Sequence, residues 1–372
     1  MRCRLWAGCG AGQGCGLGSV VVIGTWFPLV LAGLSLACWV CCVRLRRRGR
    51  GAAIAAGAVA VLVTLATAAD LINAHYGYLP RVDDVVGVTS WPTAPARDAI
   101  AQAPTRPHRH GSVITLPISG THSGFGTHRA LVYLPPQYFT DPHARFPVVY
   151  LLHGSPGAPV DWYRANEAAT IGALLAHTDQ PAILVAPRVS HDWLDDSECV
   201  DRPSEHIETY LIDDVIPSVD TQLRTRPDRA DRVFAGMSAG GFCALNLGLR
   251  HRDLVETIVA MSGLAEPTHS GGMAGLFGPR PDLAALAAAN TPVRYAPTLP
   301  PSPPMRIWLD CGRGDREALR DTLTMARLLT HRGGFDVDLR LRPGGHDYGV
   351  WRPALRDSLR WAVPTSALAT TS

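Results

Sequence analysis

From residue 147 onward the chain repeats one pattern that limits its fold more than any other: a short apolar run, then a spacer of helix length. The runs are "PVVYLLHG" at 147, "AILVAP" at 182, "RVFAG" at 232, "TIVAMSG" at 257, "RIWLDCG" at 306 and "VDLRLRPG" at 337. Short runs apolar on both faces are the mark of buried parallel strands, covered by helices above and below. Two earlier segments, "GSVITLPI" and "RALVYLPP", flank the turn-forming "SGTHSGFGTH" and read as an antiparallel hairpin. The spacers carry helical periodicity: Ile207, Tyr210, Leu211, Val215, Val219 and Leu223 recur close to a 3.6-residue spacing, and "LRDTLTMARLLTHRGG" ends on a glycine stop. The expectation is an α/β domain over residues 111–363, with an eight-stranded, mostly parallel sheet and helices on both faces, before a tail at 364–372. Residues 264–304, rich in Pro and Gly, are too long for an ordinary connection and read as a cap or substrate loop.

The N-terminal portion has a different composition. All 35 basic residues are arginine, and seven of them precede the first acid, Asp70. The net charge of +3 is therefore +7 before Asp70 and −4 after it, with the basic excess beside apolar runs rather than on a folded face. This argues against nucleic acid as a partner. Residues 1–18 form a glycine-rich leader without the GxGxxG spacing of a phosphate-binding turn, and residues 19–73 hold two transmembrane helices, over Ser19–Val43 and Gly51–Ala69. The intervening "RLRRRGR" is held in the cytoplasm by the positive-inside rule, so the linker at 74–110 and the domain beyond it lie outside the cell membrane. The arginine cluster, Ala52–Leu65 and "ATA" at 66 also fit a cleaved signal peptide, which leaves the compartment unchanged. Six of nine cysteines fall at or before Cys42; Cys199, Cys243 and Cys311 allow one bridge at most, and Cys243 and Cys311 read as small buried residues.

Chemistry concentrates at "FAGMSAGGFCAL". Gly236-Met-Ser238-Ala-Gly240 is the single G-x-S-x-G in the chain, and it sits between a buried strand and a helix-compatible segment. That context is a nucleophile elbow: the sharp turn lifts a serine out of the sheet, and small neighbours make room for it. A serine needs a base, an acid to orient the base, and donors for the oxyanion. In a fold carrying this elbow, the acid follows a late strand and the histidine follows the last one. Asp315 in "CGRGDRE" and His346 in "PGGHDYG" occupy those places; Glu317 is a nearby alternative acid, and Asp310 reads as a buried structural carboxylate. Oxyanion donors are the amide of Ala239 and one from "HGSPG", with Ser155 favoured and Gly154 its neighbour. The acids of "SHDWLDDSECVD", Asp192, Asp195, Asp196 and Glu198, read as a solvated loop, with no metal or other cofactor required.

Taken in order, "LLHGSPG", "DWY", "GMSAGG", "CGRGD" and "GGHDYGVW" resemble the esterase family of alpha/beta hydrolases, which includes esterase D, enterochelin and feruloyl esterases and mycolyltransferases. The resemblance spans Gly111 to Val363 and implies the alpha/beta-hydrolase fold, with Ser238 as nucleophile, Asp315 and His346 completing the triad, and Ser155 and Ala239 as oxyanion donors. "INAHYGYLPRVDDVVG" and "SECVDRPSEHIETYLIDDVIP" resemble its membrane-anchored actinobacterial branch. Mycolyltransferases carry glutamate where Asp315 stands. The implied activity is hydrolysis of an acyl ester, with a lipid or envelope glycolipid among candidate substrates. Acyl transfer to a sugar or lipid hydroxyl is the alternative, and a catalytically silent envelope protein the lesser one.

Overall fold

The computed structural model describes residues 26–47, 49–77, 93–95, 111–163, 167–177, 179–300 and 303–363. The chain divides into two compact units, Met1–Ser90 and Trp91–Ser372. The expected leader at 1–18, most of the linker and the tail lie outside the described residues.

The first unit is a pair of helices, α1 (Trp26–Leu45) and α2 (Arg50–Tyr76). Each contains a window long and apolar enough to cross a bilayer by length and composition, with mean hydropathy of 1.9 and 2.2. They run antiparallel, for Ser35 Oγ meets Thr64 Oγ1 at 2.7 Å while Cys42 Sγ donates to the Ala53 carbonyl at 3.4 Å, nearer the turn. Small hydroxyl side chains bonded across a helix pair are a usual way of fastening helices in an apolar setting. The second helix continues past the expected Ala69 to a glycine stop, where Gly77 adopts φ 67°.

The second unit begins with a short strand, β1 (Thr93–Pro95), followed by the hairpin β2 (Ser112–Gly120) and β3 (Gly126–Leu134). Then come α3 (Pro136–Thr140), β4 (Val148–Leu152), α4 (Glu167–His177) and β5 (Ile183–Ala186). A two-stranded ribbon, β6 (Asp201–Arg202) and β7 (Glu205–His206), leads into a helical stretch, α5 (207–222), with one π-turn over Tyr210–Val215. The centre follows with β8 (Arg232–Met237), α6 (Ala239–Arg250) and β9 (Thr257–Met261). Three short helices, α7 (Gly272–Phe277), α8 (Leu283–Ala289) and α9 (Pro292–Tyr295), occupy the expected cap segment. The unit closes with β10 (Met305–Gly312), α10 (Arg316–Arg332), β11 (Phe335–Arg342) and α11 (Tyr348–Ala362).

The main sheet runs β1-β2-β3-β5-β4-β8-β9-β10-β11. Only β3 is antiparallel to its neighbours, and the remaining pairings are parallel. The eight expected strands are present, and β1 adds a ninth from within the expected linker. Its "TAP" has no strand signature, and its proline is tolerated because β1 is an edge strand. Alternate residues of each central strand enter opposite cores. Val149, Leu151, Val233, Ala235 and Val259 pack under α4 and α11, with Trp162, Leu175, Trp351 and Leu355. Tyr150, Leu152, Phe234 and Ile258 face the other side, with Tyr210, Val215, Leu245, Met325 and Leu329 from α5, α6 and α10. A strand wet on neither face has no polar position to spare, and this is why its sequence reads as an unbroken apolar run.

Cys199 and Cys243 form a disulfide, with a sequence separation of 44. Cys243, expected as a plain buried residue, is buried and bridged, whereas Cys311 is a buried free thiol. No spacing rule links two cysteines so far apart, so only the fold could pair them. Closing a loop of that length restricts the unfolded chain, and a Cys199→Ser/Cys243→Ser double variant is expected to lose about 2–4 kcal/mol of stability. Urea unfolding of oxidised wild type against the variant measures it, and coincident curves would contradict the expectation.

Candidate active site

Ser238 stands where β8 ends and α6 begins, with φ 56° and ψ −125°. For a residue with a Cβ this is a strained backbone, and the surroundings leave no other path. A Cβ on Gly236 would lie 1.9 Å from the Gly240 carbonyl oxygen, and one on Gly240 would lie 2.0 Å from the Leu152 carbonyl oxygen. Both flanking glycines are therefore demanded by packing. The Ser238 amide is fixed by donation to the Met261 carbonyl on β9 at 2.9 Å.

His346, in the turn between β11 and α11, places Nε2 2.8 Å from Ser238 Oγ. Its Nδ1 lies 2.5 Å from Asp315 Oδ2. Asp315 caps the N-terminus of α10, accepting from the Ala318 amide at 3.4 Å, and is 8% exposed. Burial alone would raise the Asp315 carboxyl; the hydrogen bond and charge of His346, with Ala318 and Ser262, outweigh it and hold the group below its usual range. An ionised partner keeps the imidazole proton on Nδ1 and leaves Nε2 free to accept from the serine. The ring is also braced by Trp351, whose plane meets it edge-on at 4.9 Å between centroids. Trp351 Nε1 in turn donates to Ser262 Oγ at 3.1 Å.

The other expected residues fall into place around this chain. Glu317 lines the cavity but Asp315 is the acid at the histidine. Asp310 is buried within β10 and bound to the Arg342 guanidinium at 2.7 Å. The loop "HGSPG" passes so close that a Cβ on Gly154 would be 3.3 Å from Ser238 Cβ. Ser155 and Ala239 line one cavity with Ser238 and His346, and among the described residues neither main-chain amide has a hydrogen-bond acceptor. Free amides beside a serine are what an oxyanion hole requires. His153 sets the course of that loop from beneath. Its Nε2 accepts from the Val189 amide at 3.3 Å, so the proton sits on Nδ1 and is donated to the Gly154 carbonyl at 2.9 Å. Burial holds His153 below the usual histidine range.

The cavity measures about 340 Å³ and is also lined by Asp196, Glu198, Phe242, Ser262, Leu264, Thr268 and Ala318. The acids of the loop after β5 are not a solvated cluster throughout. Asp195 pairs with Arg202, Asp196 accepts from the Glu198 amide at 3.2 Å, and Glu198 is buried. Among the described residues no cluster of His, Cys, Asp or Glu has the arrangement of a metal site. Sequence reasoning missed Glu198, Ser262, Trp351 and the bridge; only the aromatic "GVW" after His346 carried any signal.

A family model named Esterase, described as "Putative esterase", matches residues 126–362, more than half of the chain. The chain belongs to this esterase family. Its membership makes it an ester hydrolase of the alpha/beta-hydrolase type, as the motifs implied. An uncharacterized protein of Corynebacterium glutamicum is 26% identical over 327 residues, covering 84% of this chain and 76% of that relative. An endo-1,4-beta-xylanase/feruloyl esterase of Xylanibacter ruminicola is 28% identical over 193 residues, which is half of this chain but 26% of that larger protein. Among solved structures, a ferulic acid esterase aligns with TM-score 0.58 at 23% identity, over 68% of this chain and 97% of its own. The fluorophosphonate-binding serine hydrolase FphF of Staphylococcus aureus aligns with TM-score 0.56 at 18% identity, over 68% and 99%. At such identities these two likenesses speak for the fold.

Glu198 gives the esterase a pH-dependent stability. Burial, then the neighbouring Asp196, push its carboxyl from 4.5 up to about 8, against the opposing hydrogen bonds from Thr268. A carboxyl raised on folding holds a proton that the unfolded chain releases, so its stabilisation is complete below about pH 4.5 and is lost as pH rises through about 8. Glu198→Gln, which stays neutral, is expected to gain stability relative to wild type from about pH 5 to about pH 8. Thermal unfolding across that range tests it; a constant difference between the two proteins would rule it out.

Proposed function

We propose that the protein is a serine esterase anchored in the cell membrane, with its catalytic unit outside the cytoplasm, acting on an acyl ester through a covalent acyl-enzyme. The observation that carries this reading is the unbroken hydrogen-bonded chain from Ser238 through His346 to Asp315, at 2.8 Å and 2.5 Å. In the proposed reaction His346 Nε2 takes the Ser238 proton as Oγ attacks the ester carbonyl carbon. The negative charge then gathers on the carbonyl oxygen, beside the amides of Ala239 and Ser155. Ala239 is the first residue of α6, so the helix dipole adds to the attraction. Asp315 stabilises the imidazolium, which returns the proton to the departing alkoxide. Water then repeats the sequence on the acyl-enzyme and releases the acid.

Two observations support the compartment independently. The arginine-rich turn between α1 and α2 favours the cytoplasmic side, which directs both outer ends of the helix pair away from it. The Cys199–Cys243 bridge belongs to an oxidising environment. The close contact of Ser238 with His346 also counts against a silent binding protein, because a structural role has no use for a strained serine aimed at a base.

Ser238→Ala is expected to lower kcat about 10⁶-fold, and Asp315→Asn roughly 10⁴-fold through loss of the correct imidazole tautomer. Turnover of p-nitrophenyl esters and labelling by a fluorophosphonate read both. A Ser238→Ala enzyme of full activity would end the proposal. Adding a sugar or lipid hydroxyl in excess shows whether the acyl group goes to water: unchanged acid release with no acylated acceptor excludes transfer to that acceptor.

A further inference from the structure

One acid in the catalytic cavity has no part in the triad. Glu198 is 2% exposed, yet it lines the same cavity as Ser238, Ala239, Ser155 and His346. Its Oε1 accepts from the Thr268 amide at 2.6 Å and from Thr268 Oγ1 at 3.3 Å. With both donors on Oε1, the proton of the neutral acid belongs on Oε2. No hydrogen bond to that second oxygen is found among the described residues, and it is not one of the fully buried polar atoms left without a partner, which leaves it as the oxygen able to meet a molecule in the cavity that Glu198 lines.

The placement is built by several parts of the chain. Glu198 and Cys199 both take positive φ, 50° and 49°, a costly conformation for two successive residues with side chains. Cys199 is bonded to Cys243 on α6, the helix that starts beside the serine. Val200 packs with Leu276, Phe277 and Ala287 of the cap, and Thr268 comes from the same cap segment. The result is a carboxyl group on the wall of the cavity, held by Thr268 at one oxygen only.

The surrounding charges favour its neutral form. From its own loop, Asp196 faces it directly, while Asp195 is engaged by Arg202 and His269 of the cap segment acts on Asp196. Asp315, Glu317 and His346 are the other titratable groups lining the cavity, and among the described residues no arginine lines it. The thiol of Cys243 on α6 is tied up in the bridge.

We propose that Glu198 is a specificity-determining residue whose Oε2–H donates a hydrogen bond to an oxygen acceptor of the substrate other than the scissile ester. The cavity then selects oxygenated esters over equally large hydrocarbon ones. This rests on the reading of Ser238 as the nucleophile. An acid whose one free proton faces a cavity gains a partner only from an acceptor, and leaving it unpaired against a hydrocarbon chain carries a desolvation cost.

Matched pairs of esters test the idea on the full-length enzyme, because an ether oxygen accepts but cannot donate. On the alcohol side the pair is 3-methoxypropyl butyrate against pentyl butyrate; on the acyl side it is pentyl 4-methoxybutanoate against pentyl hexanoate. The wild type is expected to prefer the ether in one pair by about three- to tenfold in kcat/KM. The pair showing the preference tells which half of the ester meets Glu198. Since the carboxylate has no proton to donate, that preference should fade as pH rises through about 8. Glu198→Gln retains a donor facing the cavity and should hold the preference flat across the same range. Glu198→Ala should abolish it while still hydrolysing pentyl butyrate. Should the alanine variant not fold, the comparison of the wild-type and glutamine pH profiles decides. No preference in either pair, or one that survives in Glu198→Ala, overturns the proposal. An active Ser238→Ala enzyme would instead overturn the esterase mechanism on which it rests.

Discussion

The architecture of the catalytic unit is organised around one crowded turn. Ser238 takes φ 56° in a turn where β8 and α6 meet too closely for any side chain at Gly236 or Gly240. The cost of that backbone is met by the sheet on either side. The Ser238 amide donates to Met261 of β9, and the Leu152 end of β4 closes against Gly240. A turn held from both neighbouring strands cannot relax into a more comfortable conformation without opening the centre of the sheet. Strain of this kind survives only at a site so enclosed, and it fixes the direction of Oγ before substrate arrives.

The sheet order then decides where the remaining groups come from. Asp315 follows β10, two strands from β8, and His346 follows β11, three strands away. At about 4.8 Å per strand, the histidine loop has to return across the strand ends to reach the serine. Two main-chain bonds bring it back: the Arg313 amide to the Arg342 carbonyl, and the Gly314 amide to the Gly344 carbonyl, both at 2.7 Å. Those bonds join the loop carrying Asp315 to the loop carrying His346, beside the contact between the two side chains. Trp351, on the core side of α11, then packs against the imidazole ring at right angles.

Most of this framework was legible because it rests on local rules. Strands covered on both faces must be apolar throughout, and a nucleophile elbow must be small-residue-rich, so "RVFAGMSAGG" announced both strand and turn. His346 was legible for a topological reason, lying past the last strand. What stayed hidden depends on contacts between distant segments. The bridge joins cysteines 44 residues apart with no spacing signature. β1 has no β-pattern and is recruited by pairing with β2 alone. Glu198 sits in a run of acids whose composition resembles a wet loop, yet it is buried, bonded to Thr268 seventy residues on, and next to a cysteine bridged to α6. Asp315 could be placed ahead of Glu317 from the sequence because it falls at the tip of the loop after the strand; it is the N-cap of α10, with Glu317 in the first turn.

The bridge and the buried acid belong to one physical arrangement. Two successive residues at positive φ are unstable alone, and the loop carrying Glu198 is secured to α6 by a covalent bond one residue away. On its other side the loop is held by the apolar contacts of Val200 with α7 and α8 and by Thr268. The loop carrying Glu198 is therefore joined both to α6 and to the segment that holds Thr268. The bridge and the Thr268 hydrogen bonds thus hold the two ends of this short segment to different parts of the chain, and Glu198 lies between them.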